Sequence, residues 1–207
     1  MTASRLHLVR HGEVHNPGRV LYGRLPDYHL SEAGVRMAEA AAAHVAAQGR
    51  PVTVLWCSPL ERTQESAAPF AERFGLTPVI DERVIEPTNV FEGTRMRRSL
   101  MNPLNWWHLR QPSLPSWGEA YASIAERMLE AMDDAWDGTE AGDAVIVSHQ
   151  APIWITHLRV AGLPLRHDPR TRRCALSSVT SFERAGDVWR EVDYAEPASA
   201  GIDLGAV

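Results

Sequence analysis

Short apolar runs separated by stretches of helical periodicity set the rhythm of the chain. Strand-like runs fall at Leu6 to Val9, Val52 to Trp56, Ala144 to Val147, Leu176 to Phe182 and Val188 to Tyr194, each bounded by turn residues. Ser31 is placed to cap a helix with Val35, Ala38, Ala42 and Val45 on one face, closed by Gly49 and Pro51. Ser58-Pro59-Leu60-Glu61 reads as a capping box with Pro at the first helical position, followed by the stripe Ala67, Phe70, Ala71 and Phe74 before Gly75. A second capping box, Ser116-Trp117-Gly118-Glu119, opens a helix with Ile124, Met128, Ala131 and Met132 at helical spacing. A fourth helix is predicted from about Pro152 to Ala161, ending at Gly162 and Pro164.

Strands alternating with helices predict an α/β fold, a three-layer α/β/α sandwich whose central sheet is mostly parallel, with an antiparallel edge from the final hairpin around Gly186. The chain of 207 residues, 44% hydrophobic, suits one domain over residues 1–195. Residues 81–115, rich in Pro, Asn, Arg and Trp, break the alternation and are expected to form an insertion over the carboxyl edge of the sheet. The last residues, 196–207, carry no pattern and are expected to be a flexible tail.

Composition narrows the partners. Net charge is -5, and all 21 basic residues are Arg. Guanidinium groups recognise phosphate by paired hydrogen bonds, while the negative balance disfavours nucleic acid, so a small phosphorylated metabolite is the expected ligand. No apolar run approaches the roughly 20 residues that span a bilayer, and nothing reads as a secretion signal; the expectation is a cytoplasmic protein without a membrane partner. Cys57 and Cys174 give no disulfide framework and are expected to be free and buried.

In an open α/β sheet, loops at the carboxyl ends of the strands converge on the ligand site. The first strand runs into Arg10-His11-Gly12-Glu13, the second into Ser58-Pro59-Leu60-Glu61-Arg62, and the third into Ser148-His149-Gln150. Two Arg and two His from separate loops would thus meet over one edge. Guanidinium forks and helix-start amides can hold a phosphate dianion, and a neutral imidazole between two cations keeps the lone pair needed to attack phosphorus. Singly, His11 reads equally well as a turn histidine, His149 as a helix-start residue and Arg62 as a solvated helix residue; joint placement on three strand-to-helix junctions carries the argument. His7, His11 and His15 could be drawn as a zinc cluster, but no Cys or carboxylate spacing supports it, so no metal and no cofactor is expected.

These segments resemble the histidine phosphatase superfamily, the group that includes cofactor-dependent phosphoglycerate mutases and many small phosphatases. Leu8-Val9-Arg10-His11-Gly12-Glu13 is similar to its signature, Leu30-Ser31-Glu32-Ala33-Gly34 to the start of its first helix, Ser58-Pro59-Leu60-Glu61-Arg62-Thr63 to its second phosphate-binding segment and Val147-Ser148-His149 to its third. The resemblance covers roughly residues 5 to 194. It implies that His11 becomes phosphorylated, that Arg10, Arg62 and His149 bind the transferring phosphoryl group, that Asn16 adds a polar contact and that Glu86 is the proton donor. From Glu86 to Glu92-Gly93 the spacing is one residue shorter than in many relatives, so Glu82 and Glu92 stand as alternatives. Gln150 replaces a Gly common after the His; it caps the helix or reaches the phosphate.

The implied activity is a metal-independent, histidine acid phosphatase-type phosphomonoesterase working through a phosphohistidine on His11. The alternatives are a phosphoglycerate mutase, for which the chain looks short, and a non-catalytic phospho-ligand binding module, which would need the cations but not the nucleophile. Substrate selection is expected from Arg95, Arg97, Arg98, Asn105, Trp106, Trp107, His108 and Arg110, and less specifically from the cluster Arg166 to Arg173. A homodimer is compatible with the family, without an identifiable patch.

Overall fold

The first strand shows why a run without alternation can lie at the centre of a sheet. In β1 (Ala3–Arg10) the residues Leu6, His7, Leu8 and Val9 are all buried, because helices cover both faces. The remaining strands are β2 (Val52–Cys57), β3 (Val79–Ile80), β4 (Gly142–Ser148), β5 (Val179–Ala185) and β6 (Val188–Ala195). They form one six-stranded sheet in the order β3-β2-β4-β1-β5-β6. The pairs from β3 to β1 are parallel, and those from β1 through β5 to β6 are antiparallel, as the alternation of elements predicted. This computed structural model describes residues 3–110 and 115–200.

Two apolar layers follow the pleat. Val9, Val145 and Val147 face α1 (Glu32–Ala46) and α2 (Glu61–Phe74), meeting Ala41, Val45 and Phe70. Leu6, Leu8 and Ile146 face the other way, toward α4 (Tyr121–Asp137) and α5 (Gln150–Val160), packing among Ile124, Met128 and Ile153. The short α3 (Met96–Leu100) and 3-10 turns at Glu82–Val84 and Pro103–Leu109 build the region that breaks the alternation. Mutual backbone hydrogen bonds of Leu21 with Gly93 and Thr94 hold this region against the loop that follows β1.

Several expectations need correction. Both predicted capping boxes fail: α2 starts at Glu61 with Leu60 as its cap, and α4 at Tyr121 with Ala120 as its cap, neither with a capping side chain. Ser58 and Glu119 have other partners, His149 and Arg127 respectively, which outcompete the local bonds. Val35 is exposed; α1 buries Gly34, Met37 and Ala41 with Ala38, Ala42 and Val45, rotating the face away from Val35. The fifth strand begins at Val179, because Ser177 has φ of 53° and turns the chain first. Within the tail, Pro197–Ala200 form a 3-10 turn packed against α1, with Ala198 buried; residues 201–207 lie outside the described residues, as do 111–114 of the insertion. No helix among the described residues is long and apolar enough to cross a membrane, and both cysteines are free and buried.

Candidate active site

Register brings the three segments to one level. Arg10 pairs with Ser148 across β1 and β4, and Cys57 with Val147 across β2 and β4. The next residues, His11, His149 and Ser58, therefore leave the sheet side by side. The His11 N–H donates to the Ser148 carbonyl and the Ser58 N–H to the Val147 carbonyl, each at 3.1 Å. As a result the His11 and His149 rings lie edge to face, 5.2 Å between centroids.

Close packing against α1 fixes the loop beyond His11. A Cβ on Gly12 would stand 2.3 Å from the Gly34 carbonyl oxygen, and one on Gly34 would stand 2.0 Å from the Glu13 carbonyl oxygen, so both positions must lack one. Ser31 is the predicted cap of α1: its Oγ accepts from the Gly34 N–H and donates to Glu13 Oε1 at 2.6 Å. Thus the Leu30 to Gly34 segment acts as a brace for the loop that carries His11.

His11 is 3% exposed, and its Nδ1 lies 2.8 Å from the Gly12 carbonyl oxygen. A carbonyl can only accept, so Nδ1 carries the proton and Nε2 retains its lone pair. Burial, then the charges of Arg10 and Arg62, hold the imidazole well below its ordinary pKa against the pull of that hydrogen bond, and the ring is neutral at pH 7. His149 is also neutral, through burial first and then His11, Arg62 and Arg10. Its Nδ1 faces Arg62 Nη2 at 3.4 Å and accepts, while its Nε2–H donates to Ser58 Oγ at 2.8 Å.

Cations complete the pocket. Arg62 is fully buried; Nη2 donates to the Gly23 carbonyl at 2.6 Å, and the guanidinium lies 4.8 Å from the centre of the Tyr22 ring. Arg10 Nη1 donates to the Cys174 carbonyl at 2.6 Å. Arg62 Nε and Nη1 and Arg10 Nε are buried without a protein partner. Leaving such donors unpaired costs about 1–3 kcal/mol each, and an anion offering charged acceptor oxygens reverses that cost.

Position separates the three candidate carboxylates. Glu86 Oε2 is buried, lacks a protein partner and lies 3.9 Å from His149 Nδ1. Burial raises its pKa despite the opposing charges of Arg172, Arg62 and Arg10. Glu82 is exposed in its 3-10 turn, and Glu92 Oε1 accepts from the Arg24 N–H at 3.1 Å. Of the three carboxylates, Glu86 is the one that faces the histidines.

Other expected residues are less central. Asn16 spends both ends of its amide on Val20, shaping the loop. Gln150 opens α5 after its cap His149, and no side-chain hydrogen bond caps that helix. His7 is engaged with Ser181 and Asp143, and His15 is exposed, so neither joins His11. Arg95, Arg98 and Asn105 line a cleft of about 880 Å³ with Val20 and Met101; Trp106 and Trp107 are exposed, Arg110 stacks on Trp107, and His108 meets Phe91 edge-on. The Arg97 side chain lies outside the described residues. In the Arg166 to Arg173 cluster, Arg170 pairs with Asp168 and Arg173 with Glu191, whereas Arg172 turns toward Glu86. Sequence reasoning missed Ser58, which the capping pattern assigned to a helix, and Tyr22, which no local pattern marks.

Comparison with known proteins identifies relatives of the whole chain. The model of the histidine phosphatase superfamily (branch 1) matches residues 6–197. An uncharacterized protein of Mycobacterium tuberculosis is 47% identical over 199 residues, covering 95% of this chain and 98% of the relative. A probable phosphoglycerate mutase of Yersinia pestis is 31% identical over 184 residues, 84% of each chain. Among solved structures, a mycobacterial glucosyl-3-phosphoglycerate phosphatase superposes with a TM-score of 0.72 at 26% identity, covering 90% of this chain and 96% of that one.

Proposed function

The chain belongs to the histidine phosphatase superfamily, and from that membership we propose that it is a metal-independent phosphatase, of the histidine acid phosphatase type, which hydrolyses small phosphate monoesters through a phosphohistidine on His11. The carrying observation is the Nδ1 contact of His11 with the Gly12 carbonyl, which leaves a neutral Nε2 lone pair between two guanidinium groups. Nε2 attacks phosphorus while Glu86 gives its proton to the departing alcohol oxygen. Water then attacks the phosphohistidine, Glu86 takes back a proton, and inorganic phosphate leaves with the His11 ring neutral again. Arg10 and Arg62 stabilise charge on the three equatorial oxygens in both steps, supplying the positive charge that a metal supplies elsewhere, while neutral His149, held by Ser58, positions the Arg62 guanidinium. Free buried cysteines favour a reducing, cytoplasmic setting.

The name of the Yersinia relative favours a second reading, return of the phosphoryl group to substrate instead of water. One assay separates the two: phosphate release and phosphoglycerate interconversion are measured with a chelator present, for the wild type and for His11→Ala. Hydrolysis predicts chelator-resistant phosphate release that the variant lacks. Interconversion without release supports the mutase, and absence of both leaves a phospho-ligand binding module.

A further inference from the structure

Next to the phosphoryl pocket, on its Glu86 side, lies a second, smaller cavity of about 70 Å³. Three of its wall residues connect it to that pocket: Glu86 itself, Gly23, whose carbonyl accepts from Arg62, and Ala151, two residues beyond His149. If Glu86 protonates the leaving oxygen, the alcohol must depart on this side.

Two residues in the wall keep polar atoms that no protein group engages. Tyr121 is 6% exposed, lines the cavity, and its buried Oη has no protein partner. Arg172 also lines it. Its Nε donates to His167 Nε2 at 2.9 Å, whose Nδ1–H in turn donates to the Leu165 carbonyl at 2.8 Å, and the His167 ring packs on Tyr121 at 5.2 Å. The terminal amino groups of Arg172 make no hydrogen bond among the described residues. Glu119 is the other acid in the wall, and Arg127 neutralises it through a forked pair at 2.8 and 3.0 Å, with Arg24 at 3.6 Å. A phenol donor and an oriented guanidinium facing a space of about two water molecules' volume match a carboxylate rather than a ring or an aliphatic chain.

We propose that Tyr121 and Arg172, the latter held by His167, form a leaving-group subsite that selects phosphate monoesters whose alcohol carries a carboxylate close to the ester oxygen. The inference rests on the phosphatase reading insofar as it places the leaving group beside Glu86. In the bound state Tyr121 Oη–H and the Arg172 amino groups donate to the two carboxylate oxygens, and no bond to carbon changes. A site built around buried polar donors discriminates against an analogue that cannot satisfy them.

A matched pair of probes tests this: 3-phosphoglycerate, and glycerol 3-phosphate, in which a neutral hydroxymethyl group replaces the carboxylate. Dissociation constants are measured by calorimetry with the full-length His11→Ala variant, and kcat and KM with the enzyme that retains His11, alongside phenyl phosphate. We expect the acid to bind at least about tenfold more tightly than the neutral ester. In Arg172→Gln that ratio should collapse toward one through weaker binding of the acid, and Arg172→Lys should restore part of it. Tyr121→Phe, which keeps the ring on His167, should weaken the acid several-fold. Equal affinities for the two probes, or losses in Arg172→Gln that are the same for both, overturn the proposal. If no monoester is hydrolysed but the Arg172-dependent preference persists in binding, the phosphatase reading fails and the subsite stands.

Discussion

Glu86→Gln replaces a carboxyl with an amide of the same shape and removes one thing, a transferable proton. The carboxyl is buried at Oε2 and sits 3.9 Å from His149 Nδ1, so the amide fills the same space. A positioned general acid contributes about 100- to 10,000-fold, or about 3–5 kcal/mol, when the leaving group is a poor alkoxide. An aryl phosphate departs without help, and its loss should stay within about tenfold. The ratio of the two losses, measured as kcat/KM for an alkyl and an aryl phosphate, is therefore the diagnostic quantity.

The same variant predicts a pH dependence. The productive free enzyme has His11 neutral, which holds above its lowered pKa, and Glu86 protonated, which holds below its raised pKa. Alkyl phosphate kcat/KM should fall as pH rises through the Glu86 pKa, above its ordinary 4.5, and Glu86→Gln should lack that limb. Stability follows the opposite bookkeeping from a salt-bridged acid. A carboxyl whose folded pKa is raised contributes fully below its unfolded pKa, and that contribution is lost as pH rises through the folded value. Glu86→Gln should thus match the wild-type Tm at pH 4 and equal or exceed it at pH 7. Equal losses on alkyl and aryl substrates, or an unchanged alkaline limb, would refute Glu86 as the acid.

Ser58→Ala removes the acceptor for a buried His149 N–H at 2.8 Å; leaving that donor unpaired should lower kcat/KM for an aryl phosphate about 5- to 100-fold, equivalent to about 1–3 kcal/mol, as steady-state kinetics will show. Gly34→Ala drives a Cβ to within 2.0 Å of the Glu13 carbonyl oxygen, and since both sides are backbone, the loop carrying His11 must shift; urea denaturation should reveal a loss of at least about 2 kcal/mol.

Strand and helix alternation, and the Arg and His residues at three strand ends, were legible in the sequence because both are local signals. Leu6 to Val9 reads as a strand from its apolar run, Ser31 as a cap from its position before a periodic face, and Arg10-His11-Gly12 as a turn beside cations. The surroundings of the candidate acids were not local: Glu86 was singled out by resemblance alone, with Glu82 and Glu92 as alternatives, and the three separate once the region after β3 folds back over the sheet, leaving one exposed, one on a backbone amide and one facing His149. Ser58 misled the capping pattern for the same reason, since a hydroxyl can serve the nearest backbone or a histidine 91 residues away, and register between β2 and β4 chooses the histidine. Tyr121 and Arg172 became visible last, because a polar atom without a partner is defined by everything packed around it. Sequence thus marked the Arg and His residues at the strand ends, because strand ends are local signals; tertiary structure decided which other groups join them and which polar atoms stay unpaired, because both depend on contacts distant along the chain.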